Sequence, residues 1–240
     1  MEYPKINSLW KREGWYFDEK VKKLTPPDLQ SKRQSFIIGH YAELEFGNVR
    51  RWRVDEKVDG TNIRIFYTKT MLHGGEIEES VTFGGRTSNA QLPTHLLKYL
   101  QETFTDERLD EVFPECPCNV ILFGEGYGPK IQACGGNYRR DPGFIIFDVV
   151  VGGWWLKREA VKEIADKLAI PMVPDLGVMT EDEIVAFVKS KPLSRCSLNP
   201  QMMEGVIARS EPLMLFRNGK PLVFKLKCKE FDCADMREAA

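Results

Sequence analysis

Apolar positions along this chain fall into short runs of two different periods. The runs SFIIGHYAELEF, VRRWRVDE, TNIRIFYTK and ESVTFGG are rich in apolar and β-branched residues and predict successive strands. Gly-containing turns, notably at Gly74–Gly75 and Gly84–Gly85, are expected to join them. In LPTHLLKYLQETF the spacing places Leu96, Leu97, Leu100 and Phe104 on one face of a helix. VILFGEGYG and FIIFDVVVGG are continuously apolar and predict buried strands. KREAVKEIADKLAI reads as an amphipathic helix, and TEDEIVAFVKSK as another, opened by a capping box between Thr180 and Glu183. Three short strands, EGVIARS, LMLFR and PLVFKLKC, close the pattern. The polar stretch from Lys20 to Arg33, with Pro26 and Pro27, predicts a loop with a basic rim. Strands and helices intermix without βαβ alternation, so the expected fold class is α+β, with mainly antiparallel sheets flanked by helices.

Composition narrows the partners more than the fold. Apolar residues make up 42% and charged residues 29%, an ordinary balance for a soluble globular chain of 240 residues. The formal net charge is -1, so a nucleic-acid surface would have to be a local patch. Candidate patches are Lys20, Lys22, Lys23, Lys32 and Arg33; Arg50, Arg51 and Arg53 around Trp52; and Arg139–Arg140 beside Tyr138. Each cluster alone reads equally as a solvated charged face. The six cysteines show no paired CxxC spacing, and Cys116 and Cys118 flank a single residue, which argues against a zinc knuckle. The N-terminus lacks a signal-peptide apolar region, and no run approaches membrane-spanning length. The expectation is a cytoplasmic protein with free thiols and no membrane partner.

The chemistry begins at Glu56-Lys57-Val58-Asp59-Gly60-Thr61-Asn62. Taken alone, this KxDG segment fits a solvated lysine in an Asp-Gly hairpin. As a nucleophile, Lys57 would need a neutral amine, and a free lysine is neutral roughly one time in a thousand near pH 7. Nearby cations and burial lower a lysine pKa, whereas Glu56 and Asp59 would raise it. Positive charge elsewhere is therefore required, and Val223-Phe224-Lys225-Leu226-Lys227 supplies it, because a period of two puts Lys225 and Lys227 on one strand face. Lys229 extends the same pattern.

Three carboxylates and two further groups complete the candidates. Glu125 ends a strand in a Gly-rich turn; the GxGxG likeness to a dinucleotide fingerprint fails because Pro129, Gly135 and Gly136 stand where a crossover helix would start. Phe147-Asp148 offers an aromatic beside a carboxylate, and Glu204-Gly205 opens another strand. Arg86 sits in a polar turn suited to phosphate.

In this order KxDG, a GE turn, an aromatic-Asp strand, EG and a KxK strand resemble the covalent nucleotidyltransferase superfamily of ligases and capping enzymes. Asn62 and the segment GEGYGPKIQ resemble its RNA ligase 2-like branch, since DNA ligases and capping enzymes typically carry Arg where Asn62 stands. The resemblance implies a ligase adenylation (nucleotidyltransferase, ATP-grasp-like) fold over residues 1–240; members of this branch usually carry a further substrate-binding domain, and the sequence departs from them in that no appended OB or C-terminal domain is evident. It implies an ATP-dependent RNA ligase that forms lysyl-AMP on Lys57, passes AMP to a 5′-phosphate end and seals it to a 3′-hydroxyl, as in RNA repair. ATP and Mg²⁺ or Mn²⁺ are the implied cofactors, and RNA, nicked, bridged or DNA-containing, is the implied partner. Asp59, Glu125 and Glu204 are implied metal carboxylates, with Asp59, Glu204, Lys225 and Lys227 catalytic beside Lys57. Glu56, Asn62, Arg86, Glu125, Phe147 and Asp148 are implied nucleotide contacts. An ATP-dependent DNA ligase, a GTP-using capping enzyme and a nucleotide- or RNA-binding module without sealing activity are the alternatives.

Overall fold

Most of the predicted runs become strands because their alternate residues have a core to face. The computed structural model describes residues 1–12, 16–18, 23–25, 36–71, 73, 76–114, 119–231 and 237–238; side chains of 12, 16–18, 23–25, 36 and 237–238 are excepted. In chain order the strands begin with β1 (Asn7–Ser8), β2 (Trp10–Arg12), β3 (Tyr16–Asp18), β4 (Lys23–Thr25) and β5 (Phe36–Tyr41). β6 (Trp52–Lys57), β7 (Thr61–Met71) and β8 (Ile77–Gly85) follow. Helices α1 (Thr94–Thr103) and α2 (Asp106–Val112) precede β9 (Val120–Tyr127), the one-turn α3 (Gly135–Tyr138), β10 (Gly143–Val151) and β11 (Trp154–Trp155). Then come α4 (Arg158–Lys167), β12 (Asp175–Met179), α5 (Glu181–Lys189), β13 (Gly205–Ser210), β14 (Val223–Lys227) and β15 (Arg237–Glu238). The fold is α+β with mainly antiparallel sheets.

Two compact units emerge. One comprises Met1–Pro4, Val58–Pro174 and Ser194–Gln201, and the other Lys5–Lys57, Asp175–Leu193 and Met202–Ala240. The first is built on an antiparallel sheet of order β11-β10-β9-β7-β8. Ile63, Ile65, Tyr67, Leu122, Phe144, Ile146 and Val149 point from it into a core completed by Leu96 and Leu100 of α1, Leu109 of α2, and Val161, Ile164 and Ala165 of α4. Each such fully buried aliphatic side chain is worth about 1.5–3 kcal/mol of transfer free energy. The alternation of β7 and β9 therefore presents Asn62, Arg64, Phe123 and Glu125 on the sheet's other face.

β10 departs from that alternation at one place. Ile146 faces Gly124 and Asp148 faces Phe123, so Phe147 is an extra residue, a β-bulge. A regular strand would send Phe147 and Asp148 to opposite faces. Here both meet Tyr3: its ring lies 5.1 Å from that of Phe147, and its hydroxyl donates to Asp148 Oδ2 at 2.6 Å.

In the second unit the sheet order is β1-β14-β13-β6-β12, antiparallel except that β1 runs parallel to β14. Trp52, Val54, Val206, Ala208, Phe224 and Leu226 face a core closed by Ile184 and Val188 of α5 and by Phe46. α5 starts as predicted, with Thr180 Oγ1 and Glu183 capping one another. β5 pairs with β2 and β15, and β3 with β4.

Several expectations need correction. The run SFIIGHYAELEF divides into β5 and a 3-10 helix, Leu44–Asn48, whose Phe46 is buried against Trp52 and Phe224. LMLFR forms no strand of its own: Leu213, Met214 and Leu215 are exposed, and Phe216 N–H closes a tight turn onto Lys220 O at 2.8 Å. Gly84 and Gly85 are not a turn but the last rungs of β8, opposite Arg64 and Ile63. β11, β12 and α2 were not anticipated; α2 spans only seven residues, opened by Thr105 accepting from Arg108 N–H. The Gly74–Gly75 turn, Cys116, Cys118, Cys233, Lys20, Lys22, Lys32 and Arg33 lie outside the described residues, and of Lys23 only the backbone is described. Among the described residues, no helix is long and apolar enough to cross a membrane.

Candidate functional site

The lysines come together because the ladder of the second unit sets them in rows. Gly205 of β13 pairs with Lys57 of β6 on one side and with Lys227 of β14 on the other. With Val54, Val206, Phe224 and Leu226 turned to the core, Lys57, Lys225, Lys227, Asp55 and Arg209 share the opposite face. Glu204, one residue before β13, spans the row: Lys57 Nζ donates to its Oε2 at 2.7 Å and Lys227 Nζ to its Oε1 at 2.6 Å. Only a glycine fits between the lysines. A Cβ at Gly205 would fall 2.1 Å from Leu226 O and 2.7 Å from Lys227 Cα.

Electrostatics follow from that geometry. Burial works to raise the Glu204 carboxyl pKa, but Lys57 and Lys227 outweigh it, and the group ends below its ordinary value. Lys225 moves down instead, first because burial strips water from its ammonium, then through the like charges of Lys227 and Lys57. On the same face, buried Asp55 receives Arg209 Nη1 at 2.5 Å. Glu56 is also buried, but alternation turns its side chain to the face of Trp52 and Val54, away from Lys57. Lys229 does not extend the strand face, because β14 ends at Lys227 and Lys229 lies in a 3-10 turn, Cys228–Phe231.

The first unit gathers the remaining candidates. Asn62 and Glu125 are direct cross-strand partners, and Glu125 also faces Ile145. Asn62 Oδ1 is buried without a hydrogen-bond partner. The Asp59–Gly60 turn lies against Glu125: a Cβ at Gly60 would sit 2.7 Å from Glu125 Cγ and 2.4 Å from Gly126 O, so the KxDG glycine is a packing requirement. Two groups hold this turn from outside. Tyr138 Oη accepts from Asp59 N–H at 3.2 Å, and Gln132 Nε2 donates to Gly60 O at 2.9 Å. Phe147 and Asp148 stand together at the bulge, with Tyr3 also 5.0 Å from Phe123. Arg86 is exposed and follows β8 directly, one residue beyond the rung that pairs Gly85 with Ile63.

Sequence reasoning overlooked Tyr3, for which no pattern signals the contact with Asp148. It also took Tyr138 and Trp52 as base-stacking neighbours of arginines. Both are buried: Trp52 is a core side chain, and Tyr138 holds the Asp59 turn. Arg53 is tied to Asp175 and Glu211, and Arg139 packs over the rings of Tyr99 and Tyr127. Arg50, Arg51 and Arg140 remain exposed.

No curated protein matches the sequence. A lysine-to-alanine variant of Naegleria gruberi RNA ligase, solved with ATP and Mn, superposes with a TM-score of 0.52 at 16% identity, over 94% of this chain and 57% of that one. An archaeal ATP-dependent RNA ligase gives 0.50 at 19% identity, over 76% and 44%. The chain thus spans about half the length of these structures, and at such identities the likeness concerns the fold. The sequence profile of the RNA ligase family matches residues 50–227, which run from the approach to Lys57 through Lys227, and the chain belongs to that family.

Proposed function

We propose that the protein is an ATP-dependent RNA ligase that joins 3′-hydroxyl to 5′-phosphate ends through a covalent Lys57–AMP. The observation carrying this reading is the row Lys57–Gly205–Lys227 with Glu204 bridging both ammonium groups. Family membership and the fold shared with RNA ligases solved in complex with ATP and Mn support it.

In the first step the neutral Lys57 amine attacks the α-phosphorus of ATP. A nitrogen–phosphorus bond forms, the α–β phosphoanhydride oxygen leaves with its electron pair on pyrophosphate, and Lys57 gives up a proton. At rest Lys57 Nζ lies against Glu204 Oε2, so the attack begins by parting that pair. Lys225 and Lys227 supply fixed positive charge for the phosphates. Asn62, with its bare Oδ1, and Glu125 beside it offer polar contacts to the sugar or phosphates. Phe147 provides a ring for adenine and Asp148 the adjacent carboxylate, while Glu56 acts through its backbone and Arg86 through phosphate.

Among the described residues no three His, Cys, Asp or Glu side chains form a closed metal cage. Mg²⁺ is commonly held by one or two carboxylates and completed by water and substrate phosphates, a mode that suits Asp59 and Glu125 of the first unit and, by itself, Glu204 of the second. Such a cation, Mg²⁺ or Mn²⁺, would neutralise phosphate charge. The later steps transfer AMP to a 5′-phosphate and seal with the 3′-hydroxyl, catalysed by positioning and electrostatics. The proposed setting is the cytoplasm, where thiols such as that of the exposed Cys134 stay reduced.

Incubation with α-labelled ATP and Mg²⁺ tests the reading. Label should remain on the denatured protein and be absent from Lys57→Ala; an unlabelled parent protein refutes it. Nicked RNA and DNA duplexes compared side by side then read the strand preference.

A further inference from the structure

Beside the lysine face, within the second unit, lies a cavity of about 480 Å³ at the edge where β1 runs along β14. Ser8 stands opposite Lys225 in that parallel pair. The wall from β14 brings Lys225 and Lys227, the following 3-10 turn brings Lys229, and the N-terminal segment brings Lys5 and Lys11. Among the described residues five lysines thus line one space, with Glu230 the carboxylate of the same lining and Glu204 already holding Lys227 Nζ at 2.6 Å. Glu230 is itself engaged, accepting Lys227 N–H at 2.9 Å. Asn7 and Ser8 add polar groups to the lining.

Such a concentration of one charge costs self-repulsion unless an anion relieves it. Lys225 registers that cost, since its ammonium is disfavoured by burial and by the neighbouring Lys227 and Lys57 charges. The anion must be compact and multiply charged, because the lysines converge from three segments on one space. It must also reach Lys225 and Lys227, the phosphate-facing pair of the proposed reaction.

We propose that this trough is the seat of the pyrophosphate portion of ATP, with Lys5 and Lys11 of the N-terminal edge gripping the leaving group. The assignment rests on the ligase reading and adds residues that the KxK strand does not contain. Electrons that depart with the bridging oxygen in the first step then accumulate where five cations already stand, which stabilises the leaving group. The reverse reaction uses the same seat: pyrophosphate attacks the α-phosphorus of Lys57–AMP, the nitrogen–phosphorus bond breaks, Lys57 recovers a proton and ATP is released.

Calorimetric titration of the unmodified full chain with inorganic pyrophosphate is the primary test. Lys5→Ala/Lys11→Ala should weaken binding at least tenfold, and Lys5→Arg/Lys11→Arg should restore most of it. In parallel, the pyrophosphate concentration needed to discharge half of a preformed Lys57–AMP adduct should rise tenfold or more in the alanine variant. Unchanged pyrophosphate binding in that variant overturns the proposal. So does a selective loss of RNA oligonucleotide affinity with an unaltered pyrophosphate response, which would make the trough a strand-binding surface. Absence of ATP labelling in the parent protein strikes the ligase reading instead, and the direct titration still reports on the trough.

Discussion

Replacing Gly205 by alanine probes the lysine row without touching a charge. The added Cβ would lie 2.1 Å from Leu226 O, 2.7 Å from Lys227 Cα and 2.9 Å from Leu226 C, all backbone atoms that no rotamer change can move. β13 and β14 must part by roughly 1 Å to restore ordinary contact, as the closest approach is more than an ångström too short. Overpacking of this kind costs about 1–3 kcal/mol, which for a chain of this size lowers Tm by about 2–12 °C. Lys227 is carried along with β14, away from Glu204 and Lys57, and a misplacement of about 1 Å can cost about 10²-fold in rate. Differential scanning calorimetry and the initial rate of ATP labelling, measured well below the new Tm, separate the two effects. Gly136→Ala serves as control, because no atom lies within 4 Å of its Cβ position; it should change stability by no more than about 0.5 kcal/mol. A Gly205→Ala protein with the parent Tm and the parent labelling rate would refute the packing argument.

Two further outcomes follow from the same geometry. Glu204 has a native pKa below the ordinary 4.5, so its ion pairs contribute stability that is complete above about pH 4.5 and disappears as pH falls through the lowered value. Urea midpoints of the parent should therefore drop more steeply than those of Glu204→Gln on going from pH 6 to pH 3, and parallel curves would contradict the pairing. Tyr138→Phe removes the acceptor for Asp59 N–H, a bond worth about 0.5–1.5 kcal/mol; ATP labelling should slow about 2- to 13-fold with no change in oligonucleotide affinity, and a parent-like rate would exclude the role.

How much of this was legible beforehand depended on the length scale of each signal. The strand pattern announced β6, β7, β9, β10, β13 and β14, and the helical period announced α1, α4 and α5, because each buries one face over several turns or rungs. That Lys225 and Lys227 share a face followed from a period of two. What the pattern could not contain was register. Nothing local says that Gly205 pairs with both Lys57 and Lys227, or that Glu204 reaches both amines, since these depend on three strands far apart in the chain. Trp52 and Tyr138 misled for the same reason: an aromatic beside arginines looks alike whether its neighbours turn it outward or, as here, into a core. Tyr3 was invisible because its partners lie more than a hundred residues away.

The bulge in β10 has a consequence for chain length rather than for composition. Pairing with β9 consumes one residue fewer than β10 supplies between Ile146 and Asp148, and the surplus residue is Phe147. The ladder would close without it, with Asp148 still opposite Phe123. A deletion at this point would therefore repair the regularity of the sheet while removing the ring that packs against Tyr3. The backbone thus carries an irregularity whose product is a side-chain arrangement: the surplus residue is what lets Phe147 and Asp148 meet Tyr3 on one face, a pairing that an unbroken ladder forbids.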